Sequence, residues 1–255
     1  MNIVIITGAS SGMGTEFALQ LDAELSMKKV DEIWLIARRK EALLEVASVM
    51  EHTTRVLDMD VTKQQDMDRL KALLQREKPD VRMLVNCAGY GILGAFDEQS
   101  EADELGMIDL NCRALTQMTH MCLPYMKCNS RMIQLASSAA FIPQRSFAVY
   151  AATKSYVLSF SRGLNEDLRK RGIYVTAVCP GPVDTPFFDI AEKNGNTLGI
   201  KKLVMAKAED VVAQAIQASK EKKTVVVYGL PMRATQLITK LLPHDLILAF
   251  MRNMK

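Results

Sequence analysis

Seven short apolar runs set the limits on what this chain can fold into. They are "NIVIIT", "DEIWLIA", "TRVLD", "VRMLVN", "RMIQLAS", "IYVTAV" and "TVVVY", and amphipathic stretches such as "TEFALQLDAEL" separate them. Their β-branched content favours strands, and several stay apolar at consecutive positions instead of alternating. A strand that is apolar on both faces needs cover on both faces, so the economical architecture is a parallel sheet joined by right-handed helical crossovers. The reading is therefore an α/β, doubly wound fold in which ligands bind at the carboxyl ends of the strands. No linker, repeat or low-complexity segment divides the 255 residues, which read as a single domain spanning 1–255.

The balance of residues removes several classes of function. A formal net charge of +3 with no basic stripe gives no nucleic-acid surface. Five cysteines, Cys87, Cys112, Cys122, Cys128 and Cys179, form an odd set without Cys-x-x-Cys spacing, which reads as a reduced, cytoplasmic protein. The opening "MNIVIIT" has no charged leader, and no uninterrupted apolar run reaches membrane-spanning length. His52, His120 and His244 are isolated, so no metal site is expected.

Two motifs carry chemistry. The first strand ends in "TGASSGMG", placing Gly8, Ser10, Ser11, Gly12, Met13 and Gly14 just before a helix that starts near Met13 and turns Phe17, Ala18 and Leu21 inward. Glycines let the backbone approach a pyrophosphate, and the helix N-terminus adds free N–H groups and partial positive charge. In "YAATK", Tyr150 and Lys154 stand four residues apart on one helix face. Alone, that pair reads by default as a surface phenol beside a solvated lysine.

The spacing Gly-x-x-x-Gly-x-Gly departs from the dinucleotide fingerprint Gly-x-Gly-x-x-Gly and resembles instead the short-chain dehydrogenase/reductase family. The resemblance covers about residues 1 to 228 and implies a Rossmann-like sheet of strand order 3-2-1-4-5-6-7. In members that prefer NAD an acid follows the second strand, but here Ala37 takes that place and Arg38 and Arg39 come next. Two cations there suit a 2′-phosphate, so NADP(H) is read as the preferred cofactor, with NAD(H) second. Asp60 and Val61 match the family's adenine contact. In "NCAG", Asn86, Ala88 and Gly89 match Asn-Asn-Ala-Gly, while Cys87 departs from it at a position read as sheet support. In "PGPVDTPF", Pro180, Gly181, Val183 and Thr185 map to the loop that holds the nicotinamide carboxamide.

The same resemblance names a catalytic set of Asn111, Ser137, Tyr150 and Lys154. Ser137 lies thirteen residues before Tyr150, the family's separation, and is preferred on that ground to its neighbour Ser138. Hydride transfer to a carbonyl carbon leaves negative charge on oxygen, and Tyr150 is the acid that neutralises it. A phenol of pKa roughly 10 needs help of about 4 kcal/mol to exchange protons near neutrality, a task assigned to the Lys154 ammonium together with the positive nicotinamide ring of the oxidised complex. Ser137 would donate to the substrate oxygen, and Asn111 would hold a water that links Lys154 to solvent.

Around these positions the sequence is apolar: Leu93, Phe141, Phe147, Pro182, Phe187 and Phe188, joined by Ser137 and Tyr150, form the expected substrate set. Core packing explains the same residues equally well. The substrate read from them is a lipophilic secondary alcohol or ketone, steroid-like, retinoid-like or fatty. Residues 186–208 could form a lid, and 231–255 a C-terminal extension that covers the pocket, packs on a partner subunit or rests on a membrane face, in that order of preference. The assembly expected is a homodimer or homotetramer. The alternative function is a catalytically silent NADP(H)-binding regulatory protein. Nucleotide-sugar epimerases and enoyl reductases disagree with the glycine spacing and the Tyr to Lys gap.

Overall fold

The computed structural model describes residues 1–24, 29–197 and 205–253. Seven strands form one sheet: β1 (Asn2–Thr7), β2 (Glu32–Ala37), β3 (Thr54–Asp58), β4 (Asp80–Asn86), β5 (Arg131–Leu135), β6 (Tyr174–Cys179) and β9 (Val225–Val227). Their order is β3-β2-β1-β4-β5-β6-β9, with parallel pairing at each described ladder. They coincide with the seven apolar runs, and their order is the one expected.

Strand pleating explains why those runs are apolar throughout. Val4 and Ile6 of β1 and Ile33 and Leu35 of β2 face helices α1 (Gly12–Ala23), α2 (Lys40–Ser48) and α8 (Ala208–Lys220). The alternate residues Ile3, Ile5, Trp34 and Ile36 face α3 (Gln64–Glu77) and α5 (Leu115–Cys122). Trp34 and Phe17 are fully buried on opposite faces, each contributing about 2–3 kcal/mol by transfer from water. Chain reversals fall where left-handed backbone is available. Lys78 caps α3 at φ 43°, and Gly172 at φ 67° closes the turn after α6 (Ala148–Leu168).

Three features depart from the simple alternating pattern. Helix α4 (Glu101–Ile108) runs into α5 through a π-helical turn, Asp109–Ala114. A second, two-stranded parallel ladder pairs β7 (Val183–Asp184), just before the expected lid, with β8 (Ala206–Lys207), near its end. Within that lid α7 (Phe187–Ala191) is described, whereas residues 198–204 lie outside the described residues. The tail forms α9 (Leu230–Leu241) and α10 (His244–Asn253), broken at Pro243. No described helix is long and apolar enough to cross a membrane.

Candidate active site

The strand order reverses between β1 and β4, and the carboxyl ends of those strands open into a cleft of about 850 Å³. The β1 turn is bound tightly to its neighbours. Gly8 N–H donates to Ile36 O at 2.8 Å, and the Thr7 hydroxyl accepts from the Cys87 and Ala88 amides at 3.1 and 3.2 Å. A Cβ on Gly14 would lie 2.0 Å from Gly8 O, so only glycine lets α1 start this close to the strand. Ser11 caps α1 without a side-chain hydrogen bond, which leaves its first amides directed at the cleft's mouth.

At the far end of the cleft the two arginines take different parts. Arg39 donates to Ser10 O at 3.1 Å and to Ser10 Oγ at 3.4 Å, bracing the glycine loop. Arg38 lines the cleft opposite Asp60. Burial pushes the Asp60 carboxyl up, but hydrogen bonds from the Thr62 hydroxyl and amide, with the Arg38 and Lys63 charges, bring it below its ordinary value. The helix N-terminus, the glycine cradle and this guanidinium pair fit a dinucleotide bearing an additional phosphate.

A second cavity of about 100 Å³ lies beyond β5, and the two share Met13, Cys87, Gly89, Leu135, Thr185 and Phe187 as walls. Ser137, Tyr150 and Lys154 all line it. Tyr150 is buried, its ring stacked 4.2 Å from Phe147 and tilted 5.6 Å from Phe187. The Lys154 ammonium donates to Leu135 O at 2.8 Å and stands 5.6 Å from the centre of the Tyr150 ring. Ser138 also lines this cavity; its amide donates to Pro180 O, and it begins the short turn Ser138–Phe141. The Ser137 hydroxyl accepts from Ala139 N–H at 3.1 Å and lines the same cavity as the Tyr150 phenol.

The electrostatics run against the simple expectation for the pair. Burial pushes the Tyr150 phenol up to about 12, with the Ser137 hydrogen bond opposing it. Burial likewise draws the Lys154 ammonium down to about 8, and the thiols of Cys87, Cys112 and Cys179 act in the other direction. Desolvation therefore dominates both groups in the protein by itself, and positive charge brought to the site would acidify the phenol.

Asn111 sits buried in the π-helical turn. Its Oδ1 accepts from Tyr90 N–H at 3.1 Å, while Nδ2 donates to Tyr90 O at 2.8 Å and to Thr153 Oγ1 at 3.0 Å. Thr153 in turn donates to Tyr150 O at 2.7 Å, so Asn111 connects the loop after β4 to the tyrosine helix. A Cβ on Gly89 would lie 2.9 Å from Asn111 Oδ1 and 3.3 Å from Lys154 Nζ, which puts both polar groups against that loop.

Several expected residues sit elsewhere. Asn86 is buried below the cleft, donating to Thr119 Oγ1 and Gln134 Oε1 at 3.0 Å each, and so ties β4 to β5 and α5. Its neighbour Cys87, read as sheet support, lines both cavities. Phe141 packs with Leu115, Val157 and Val227 on the other side of the turn and leaves the substrate set. Leu93 clusters with Phe147 and Tyr150 behind the cavity wall, and Pro182, Phe187 and Phe188 line it. Pro180, Gly181, Val183 and Thr185 lie along the loop after β6, with Thr185 at the junction of the cavities. Ser10, Ser11, Gly12, Met13, Val61, Ala88 and Gly89 line the large cleft. Thr7 and Thr153 were missed, although a threonine inside "YAATK" at a helix position facing the core was a signal.

The short chain dehydrogenase family model matches residues 2–196. An uncharacterised oxidoreductase of Staphylococcus epidermidis is 29% identical over 84% of this chain and 90% of its own length. One from Staphylococcus aureus is 30% identical over 72% and 78%. Among solved structures, a short-chain dehydrogenase from Sphingobium yanoikuyae in complex with NADPH superposes with a TM-score of 0.78 at 25% identity, covering 100% of this chain and 97% of the other. A serine dehydrogenase complexed with NADP+ gives 0.76 at 26% identity over 88% and 93%.

Proposed function

The chain belongs to the short-chain dehydrogenase family, and within it we propose an NADP(H)-dependent oxidoreductase that interconverts a lipophilic secondary alcohol and its ketone. One observation carries this reading. The Ser137 hydroxyl, the Tyr150 phenol and the Lys154 ammonium converge on an aromatic-walled cavity that joins the glycine-loop cleft. A silent cofactor-binding protein would have no use for that convergence.

When bound, NADPH would supply the hydride, and NADP+ would accept one from the alcohol carbon in the reverse direction. The α1 N-terminus, Gly14 and Ser11 would hold its pyrophosphate, Arg38 and Arg39 its additional phosphate, and Asp60 and Val61 its adenine. Thr185 and the Pro180–Val183 loop would orient its reactive end. Ser137 donates to the substrate oxygen, and Tyr150 passes it a proton as the carbon is reduced. Lys154 stabilises the resulting phenolate. Asn111 holds the Tyr90 backbone and Thr153, and so keeps the loop and the tyrosine helix in register.

The cavity of about 100 Å³ is below the roughly 300 Å³ at which drug-sized ligand sites begin, so it houses the carbonyl end of a substrate whose remainder leaves past Phe187 and Phe188. A narrow chain passes there more readily than a fused ring system. The five cysteines are free thiols, in keeping with a reducing cytoplasm. Leu105 and Ile108 on α4 and Tyr156 on α6 are exposed apolar side chains that suit a homodimer face. The test is NADPH consumption with a panel of aliphatic and polycyclic ketones, with Tyr150→Phe as control. Turnover of aliphatic ketones lost in the control supports the reading; tight NADPH binding without turnover of any ketone refutes it.

A further inference from the structure

Helix α9 is turned inside out. Leu230, Ala234, Leu237, Ile238 and Leu241 recur at the spacing of one helix face. In a helix that packs on a core, such a face points inward. Here those five residues are exposed, Leu230 by 79% and Leu241 by 71%. Met232, Thr235, Gln236 and Thr239 are instead half-buried against the body, with Met232 packed on Gly181. Across the Pro243 break the pattern continues with Leu242 and Leu246 exposed. None of the described residues of α9 is buried.

Charge identifies what this face meets. Residues 230–255 carry Arg233, Lys240, Arg252 and Lys255 against the single acid Asp245. That difference equals the whole chain's net charge of +3, so residues 1–229 are neutral overall. On α9 itself Arg233 and Lys240, seven residues apart, run along one edge of the leucine stripe. An apolar stripe edged by cations matches an anionic lipid surface, with leucines in the acyl boundary and cations at headgroup level. A second copy fits less well, because a two-fold contact sets each patch against itself and brings like charges together.

We propose that α9 and α10 form an amphipathic patch that seats the protein on the surface of an anionic membrane without crossing it. Through Met232 and Gly181 the patch adjoins the loop that walls the small cavity. The contact holds whatever the substrate proves to be.

The experiment uses the full chain and sedimentation with phosphatidylcholine vesicles, with or without phosphatidylglycerol. Wild type is expected to bind phosphatidylglycerol vesicles at least about tenfold more tightly than pure phosphatidylcholine, with the difference fading at high salt. Leu237→Ser with Leu241→Ser should weaken binding by on the order of tenfold or more, and Arg233→Gln with Lys240→Gln by a similar factor. Circular dichroism and NADPH affinity, unchanged in both double variants, establish that they fold. Absence of vesicle binding by wild type overturns the proposal, as does binding that both double variants retain. A dimer that the leucine variant dissociates, without vesicle binding, overturns it in favour of a second copy.

Discussion

Replacing Lys154 by methionine isolates the electrostatic step on which the mechanism depends. The ammonium lies 5.6 Å from the centre of the Tyr150 ring. At an effective dielectric of about 20, a unit charge at that separation stabilises a phenolate by about 3 kcal/mol, or roughly 150-fold in rate. Burial has already pushed the phenol up to about 12, so little else in the protein can replace that contribution. Measured as alcohol oxidation at saturating NADP+, the rising limb of the pH profile should move up by about two units, and turnover at neutral pH should fall roughly a hundredfold. Loss of fold is separable from loss of chemistry. The Lys154 pKa is lowered from 10.5 to about 8, so between those values the unfolded chain binds the extra proton and stability rises with pH. Below about 8 the buried ammonium costs stability by about 3 kcal/mol. Lys154→Met should therefore melt no lower than wild type at neutral pH. Turnover within about threefold of wild type, on an unshifted pH profile, would refute the electrostatic argument.

Three other substitutions probe the rest of the site and its scaffold. Arg38→Ala should raise the KM for NADPH by about ten- to a hundredfold and leave that for NADH nearly unchanged, since only the former loses a charge-assisted hydrogen bond; equal effects on both would remove Arg38 from phosphate recognition. Asp22 accepts from the Glu51 and His52 amides at 2.8 and 2.9 Å, and Asp22→Ala should cost about 3 kcal/mol by stranding them, a melting shift of roughly 6–10 °C by calorimetry. Burial raises the Asp22 carboxyl, but these amides and His52 lower it further, to below 3.8; its contribution is thus present above that pH and is lost as pH falls through the depressed value, so acid titration of the variant should show a shallower loss of stability. Phe187→Ala opens the wall beside Tyr150 and should improve kcat/KM for polycyclic ketones about tenfold relative to short aliphatic ones, measured in paired NADPH assays.

The site was legible wherever one residue's chemistry depends on short-range spacing. Gly14 could be read because a strand, a tight turn and a helix follow one another within a few residues. Tyr150 and Lys154 could be paired because one helical turn brings them to the same face, but only the packing shows that face to be buried. Asn86, Cys87 and Phe141 could not be placed this way. They sit where a strand end or loop decides between two directions, and that choice depends on what packs from other elements: Thr119 and Gln134 capture Asn86, while Leu115 and Val227 capture Phe141. The π-helical turn at Asn111 is another such case, since its side chain is held by Tyr90 and Thr153 from separate segments.

From sequence alone came the seven parallel strands, their covering helices and the glycine turn before the first helix, because apolar periodicity and backbone sterics act over a few residues and need no partner. Tertiary structure alone decided the protonation balance of the site and the outward face of α9. Desolvation is a property of everything packed around a group: it raises Tyr150 and lowers Lys154 together. An amphipathic pattern records only that a helix has an apolar side, and the rest of the fold determines whether that side meets the core or is left for an outside surface.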